Sequence, residues 1–133
     1  MPYRILVVDD ELHILHVLSL KLRNAGFEVH TARDGEEGHQ LARTIMPDLV
    51  ITDVQMPYMT GLELSSALAH DPTTASLPII ILTARGYLLD RNDIDSSNIV
   101  EVVSKPFSPR SVIDLVHSTL ERGADRTSPL EAA

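Results

Sequence analysis

Short continuous apolar runs alternate along this chain with stretches of helical period. Ile5-Leu6-Val7-Val8 is brief and largely β-branched, the pattern of a strand buried on both faces, and it stops at Asp9-Asp10. From Glu11 onward Leu15, Leu18, Leu22 and Ala25 recur at helical spacing, with Gly26 as the stop. Phe27 to Thr31 reads as a second strand. Asp34 with Glu37 three residues on resembles a capping box and opens a helix towards Ile45, which Pro47 ends. Leu49-Val50-Ile51-Thr52 is a third strand ending at Asp53, followed by the loop Val54 to Gly61 and a helix over Leu62 to about Ala69.

The second half continues the alternation. Pro78 to Leu82 is a fourth strand ending at Thr83, and Val100 to Val103 a fifth ending near Lys105-Pro106. Ser108 is placed to cap a last helix with Pro109 in its first turn and Val112, Ile113, Val116 and Leu120 on its inner face. Between strands four and five, Arg85 to Asn98 carries Asp90-Arg91-Asn92-Asp93 and Asp95-Ser96-Ser97-Asn98, poor helix formers, so a short or irregular helix is expected there. The stretch after Glu121 holds Gly, Ser and Pro with few apolar residues and is expected to fray, leaving 122–133 as a tail to a domain over 1–121. Five strand–helix alternations predict an α/β domain, a parallel sheet with helices on both faces.

In such sheets ligands sit beyond the carboxyl ends of the strands. Those ends carry Asp9 and Asp10, Asp53, Thr83 and Lys105. Three carboxylates in one crevice raise one another's pKa unless a cation intervenes. Oxygen-only ligands of this kind suit Mg²⁺, which takes one or two carboxylates together with phosphate oxygens. A lysine and a hydroxyl beside them can reach phosphoryl oxygens. The pattern points to a phosphoryl group beside a divalent ion.

Composition narrows the field without changing that reading. The 133 residues fit one domain, and a net charge of −8 opposes a non-specific grip on nucleic acid or anionic lipid. With no cysteine, disulfides, thiol catalysis and thiolate-held zinc are excluded. The apolar runs fall far short of the roughly 20 residues of a membrane helix, and the first is too short for a secretion signal, so a cytoplasmic location is expected.

Val7-Val8-Asp9-Asp10-Glu11, Thr52-Asp53 with Met56-Pro57 and Gly61, Thr83-Ala84, and Lys105-Pro106-Phe107 together resemble the receiver domain of bacterial two-component response regulators, over about residues 3 to 121. The separations also fit: 43 residues from Asp10 to Asp53, 30 from Asp53 to Thr83, and 22 from Thr83 to Lys105. The resemblance is to the stand-alone, chemotaxis-type receivers. It implies a flavodoxin-like, doubly wound five-stranded sheet in the order 2-1-3-4-5. It implies that Asp53 is the phosphoacceptor and that Asp10 and Asp53 bind Mg²⁺ through their side chains, Asp9 partly through water and Gln55 through its carbonyl. Thr83 and Lys105 would contact the phosphoryl oxygens. The donor would be a phosphohistidine on a histidine kinase or phosphotransfer protein, and the output a changed protein–protein contact without direct DNA binding.

Against that family the sequence departs at three places. Val102 stands where the fifth strand usually carries an aromatic, so no ring can flip and switching would move the 83–91 loop. Gln55 and Arg85 occupy positions that tune phosphoryl lifetime, and Arg85 over the site predicts slow self-dephosphorylation. Asn98-Ile99 replaces the usual Gly-Ala pair, so partner specificity does not transfer.

Three other functions compete. A degenerate receiver that binds partners without phosphorylation conflicts with intact Asp9, Asp10, Asp53, Thr83 and Lys105. A metal-dependent phosphohydrolase would need Asp-x-Asp after the first strand. A flavodoxin-type cofactor binder would find an acidic loop repelling its phosphate. His13 and His16, three apart on the first helix, are expected to face solvent or a partner, and His30, His39, His70 and His117 need no function.

Overall fold

The computed structural model describes residues 2–84 and 98–126. In chain order its elements are β1 (Arg4–Val8), α1 (Leu12–Asn24), β2 (Glu28–Ala32), α2 (Gly35–Ile45), β3 (Leu49–Asp53), α3 (Gly61–His70), β4 (Ile79–Thr83), β5 (Ile99–Ser104) and α4 (Pro109–Arg126). The stretch 85–97, where a short helix is expected and where Arg85 sits, lies outside the described residues, as does most of the predicted tail.

All five strands pair in parallel in the order β2-β1-β3-β4-β5, the doubly wound sheet that the family resemblance implies. Burial follows position in the sheet. Every residue of central β3 and β4 is buried, whereas the edge strands β2 and β5 are only partly covered. Side chains alternate across each strand. Ile5, Val7, Ile51 and Leu82 therefore meet Leu15, Leu18 and Leu22 of α1 and Val112, Val116 and Leu120 of α4 on one face. Leu6, Val8, Val50 and Ile81 meet Ala42 of α2 and Leu64 and Leu68 of α3 on the other.

Local signals bound the first three helices close to where the sequence places them. Gly26 (φ +96°) follows α1, its N–H donating to Arg23 O at 3.0 Å while Phe27 N–H donates to Leu22 O at 3.1 Å, a glycine stop that satisfies two orphan carbonyls. Asp34 Oδ1 accepts the Glu37 N–H at 2.8 Å at the start of α2. A full two-way box caps α3, where Thr60 Oγ1 accepts the Glu63 N–H at 3.1 Å and Glu63 Oε1 accepts the Thr60 N–H at 3.0 Å. Pro109 opens α4 as expected, but the helix continues through Arg126, five residues past Glu121. Glu121, Arg122, Ala124 and Arg126 all favour helix, so an established helix propagates there. Among the described residues no helix is long and apolar enough to cross a membrane.

Candidate functional site

The carboxyl ends of β1, β3 and β5 converge. Asp9 follows β1 and is fully buried, Asp53 ends β3 and is 5% exposed, and Asp10 is exposed at the rim. One carboxylate oxygen from each of Asp9, Asp10 and Asp53 lies within 4.8 Å of the others. Lys105, after β5, brings the cation. Its Nζ is 3.4 Å from Asp53 Oδ1, 3.5 Å from Asp9 Oδ2 and 3.5 Å from Glu11 Oε1. The Lys105 N–H also donates to Thr83 O at 2.8 Å, which extends the β4–β5 ladder to the site and fixes where the lysine begins.

The carboxylates are held by backbone. Asp9 Oδ1 accepts the Glu11 N–H at 2.9 Å, and Asp53 Oδ1 accepts the Val54 N–H at 2.9 Å. Asp9 Oδ2, by contrast, is a buried oxygen without a hydrogen-bond donor. Burial pushes the Asp9 carboxyl up to about 6, with the neighbouring Asp53 charge adding to the rise and the Glu11 N–H and Lys105 opposing it. Burial also lifts Asp53 above the ordinary carboxylate range, against the pull of Lys105. For Lys105, burial works against the charge, but Asp9, Asp53 and Glu11 together outweigh it and hold the ammonium above its usual value. The cluster is thus short of positive charge. An oxygen-rich, partly dehydrated trio with an undonated buried oxygen is the donor set that fits a hard divalent cation.

The loop after Asp53 is set by close backbone approach. A Cβ on Gly61 would fall on the Asp53 carbonyl oxygen and 2.9 Å from its carbon, so only glycine lets α3 start there, and the Gly61 N–H donates to Val54 O at 2.9 Å. A Cβ on Gly35 would stand 2.7 Å from Met59 O, so the start of α2 braces the same loop. Between these contacts Tyr58 adopts φ +70° and Met59 N–H donates to Pro57 O at 2.8 Å, a γ-turn with a left-handed central residue whose side chain is 90% exposed.

The structure therefore brings Asp9, Asp10, Asp53 and Lys105 into one cluster. Thr83 is buried at the end of β4, paired with Ser104, beside the strand that carries Asp53. Gln55 is exposed in the β3–α3 loop. Val102 is partly buried and packs on the α2–α3 side of the sheet. His13 and His16 are exposed and lie outside the acidic cluster. His13 lines an apolar groove of about 510 Å³ with Ile14, Val17, Phe107 and Pro109, beside Lys105. Sequence reasoning missed two features: the Glu11 contact with Lys105, and the γ-turn at Tyr58, which no glycine or asparagine announces.

A family model described as the response regulator receiver domain matches residues 5–117. The DNA-binding dual master transcriptional regulator RpaA of a Synechocystis species is 34% identical over 122 residues, 92% of this chain and 50% of the relative, so the chain spans about half the length of that curated relative. The chemotaxis response regulator CheY4 of Vibrio cholerae superposes with a TM-score of 0.82 at 30% identity, covering 89% of this chain and 98% of CheY4. The receiver domain of the sensor histidine kinase PA1611 from Pseudomonas aeruginosa, solved with a magnesium ion coordinated in its active site cleft, has a TM-score of 0.82 at 22% identity, covers 91% of this chain and 99% of its own, and shares the fold. Sheet order and strand-end chemistry agree with that match, and the chain belongs to the response regulator receiver domains of two-component signalling.

Proposed function

We propose that this domain is a phosphorylation-controlled switch that accepts a phosphoryl group on Asp53 from the phosphohistidine of a histidine kinase or phosphotransfer protein. The observation that carries the reading is the convergence of one ammonium and two further carboxylates, with a buried Asp9 oxygen lacking a donor, on the Asp53 carboxylate. Asp9, Asp10 and Asp53, with the Gln55 carbonyl, are the groups that would hold Mg²⁺. When bound, the ion neutralises charge on the transferring group and keeps Asp53 ionised.

The remaining steps belong to the chain's own residues. The Val54 N–H fixes the rotation of the Asp53 carboxylate through Oδ1, leaving the other oxygen to attack phosphorus in line. An Asp53 O–P bond forms as the P–N bond of the phosphohistidine breaks, and the imidazole leaves with its electron pair. Lys105 moves its ammonium onto a phosphoryl oxygen and the Thr83 hydroxyl donates to another. Water later hydrolyses the acyl phosphate at the same place, and beyond this self-directed chemistry the domain turns over no substrate. The groove lined by His13, Ile14, Val17 and Phe107 is continuous with Lys105 and offers the donor protein an apolar seat beside the acceptor. Output is a changed protein–protein contact in the cytoplasm. The net charge of −8 argues against DNA binding by this domain itself.

The test is intact mass after incubation with Mg²⁺ and acetyl phosphate. Wild type gains one phosphoryl group and Asp53→Asn gains none. Equal labelling of the two proteins, or none of wild type, rejects the reading.

A further inference from the structure

Lys105 is shared by three carboxylates at nearly equal distance, and only two of them belong to the metal-type cluster. The separations of 3.4, 3.5 and 3.5 Å to Asp53, Asp9 and Glu11 are all longer than a tight charge-assisted bond of roughly 2.7–2.9 Å. The ammonium is therefore suspended among them. Asp9 and Asp53 are buried and backbone-fixed, while the Glu11 side chain is 59% exposed. Yet the Glu11 main chain is pinned, because its N–H is the donor to Asp9 Oδ1 at 2.9 Å. Glu11 thus combines a fixed root beside the cluster with an exposed head that already touches Lys105.

A divalent cation entering among Asp9, Asp10 and Asp53 would take over the compensation that Lys105 supplies to Asp9 and Asp53, and would repel the ammonium. Of the three acids on Lys105, Glu11 alone stays outside that cluster. We propose that Glu11 is a positioning residue that draws Lys105 aside when the cation enters, and from which Lys105 must be released to reach an incoming phosphoryl group. Glu11 then favours metal entry and opposes phosphoryl acceptance. The second half rests on the reading of Asp53 as phosphoacceptor; the first half does not.

The two halves have opposite signs, which a merely structural role would not give. For Glu11→Gln, the Mg²⁺ dissociation constant measured by calorimetry rises about two- to fivefold, the scale of a partly exposed ion pair. The rate constant for phosphorylation by acetyl phosphate at saturating Mg²⁺ rises by a similar factor. Glu11→Asp keeps the charge but withdraws the oxygen by one methylene, and it follows Glu11→Gln. In a Lys105→Ala background, Glu11→Gln leaves the Mg²⁺ affinity unchanged. Metal affinity and phosphorylation rate falling together, Glu11→Asp matching wild type, or a Glu11→Gln effect that persists without Lys105 would each overturn the proposal. If wild type takes no phosphoryl group, the functional reading fails, and the calorimetry alone still decides whether Glu11 competes for Lys105.

Discussion

Replacing Asp9 with asparagine should make the metal-free protein more stable, although it removes an acid from the middle of the site. The Asp9 carboxyl is fully buried, and burial raises it from an ordinary 3.8 to about 6. At about 1.4 kcal/mol for each tenfold change in the proton equilibrium, that rise stands for roughly 3 kcal/mol. Below the unfolded value both states are protonated and nothing is lost. Between 3.8 and about 6 the unfolded chain ionises while the folded one resists, so stability falls as pH rises. Above about 6 the full destabilisation is present. Asparagine copies the protonated acid: its oxygen still accepts the Glu11 N–H, and it carries no charge for burial to penalise.

In chelator at neutral pH, Asp9→Asn is therefore expected to gain about 2–3 kcal/mol, or roughly 10 °C in Tm. Its stability should also depend less on pH between 4 and 6 than that of wild type, with Asp53, raised in the same direction, supplying the remainder. Urea denaturation followed by circular dichroism across that range measures both effects. Saturating Mg²⁺ should narrow the gap, because it binds folded wild type and not the unfolded chain. A variant no more stable than wild type at neutral pH in chelator would refute the account of the site as starved of positive charge.

Three further outcomes follow from the loop that carries Asp53. Gly61→Ala places a methyl group against the Asp53 carbonyl, a backbone neighbour that cannot step aside, and should cost about 2–3 kcal/mol in denaturation and slow phosphorylation by acetyl phosphate. Tyr58→Gly removes a left-handed aromatic and, after the extra freedom of glycine in the unfolded chain, should raise stability by about 0.5–1 kcal/mol in the same assay. Thr60→Ala breaks the two-way cap of α3 and should lower stability by about 1 kcal/mol, whereas Thr60→Ser should restore most of it.

Much of this molecule is legible in its sequence because buried parallel strands announce themselves. Runs such as Leu49 to Thr52 are apolar without alternation and end on a polar residue, so the strand ends, and with them Asp9, Asp53, Thr83 and Lys105, can be read directly. Strand order is different. Periodicity does not say which strands are neighbours, and the order came from the family resemblance. What stayed hidden depends on contacts rather than propensities. The Glu11–Lys105 pair joins residues 94 positions apart, and no local pattern encodes a distance of that kind. Tyr58 and Met46 both take positive φ without being glycine, asparagine or aspartate, because their surroundings override their preference. The end of α4 lies beyond the expected one for the opposite reason, since local helix formers after Glu121 carry the helix on.

The two glycine contacts on the β3–α3 loop carry a wider implication. Gly61 seats the first turn of α3 against Asp53, and Gly35, next to the Asp34 cap, seats the first turn of α2 against Met59 of the same loop. Two helices on the same side of the molecule therefore lean on one short strut. If Asp53 is the acceptor proposed above, a reagent that grips both helix starts would report on the acceptor from the outside, leaving the crevice itself uncovered.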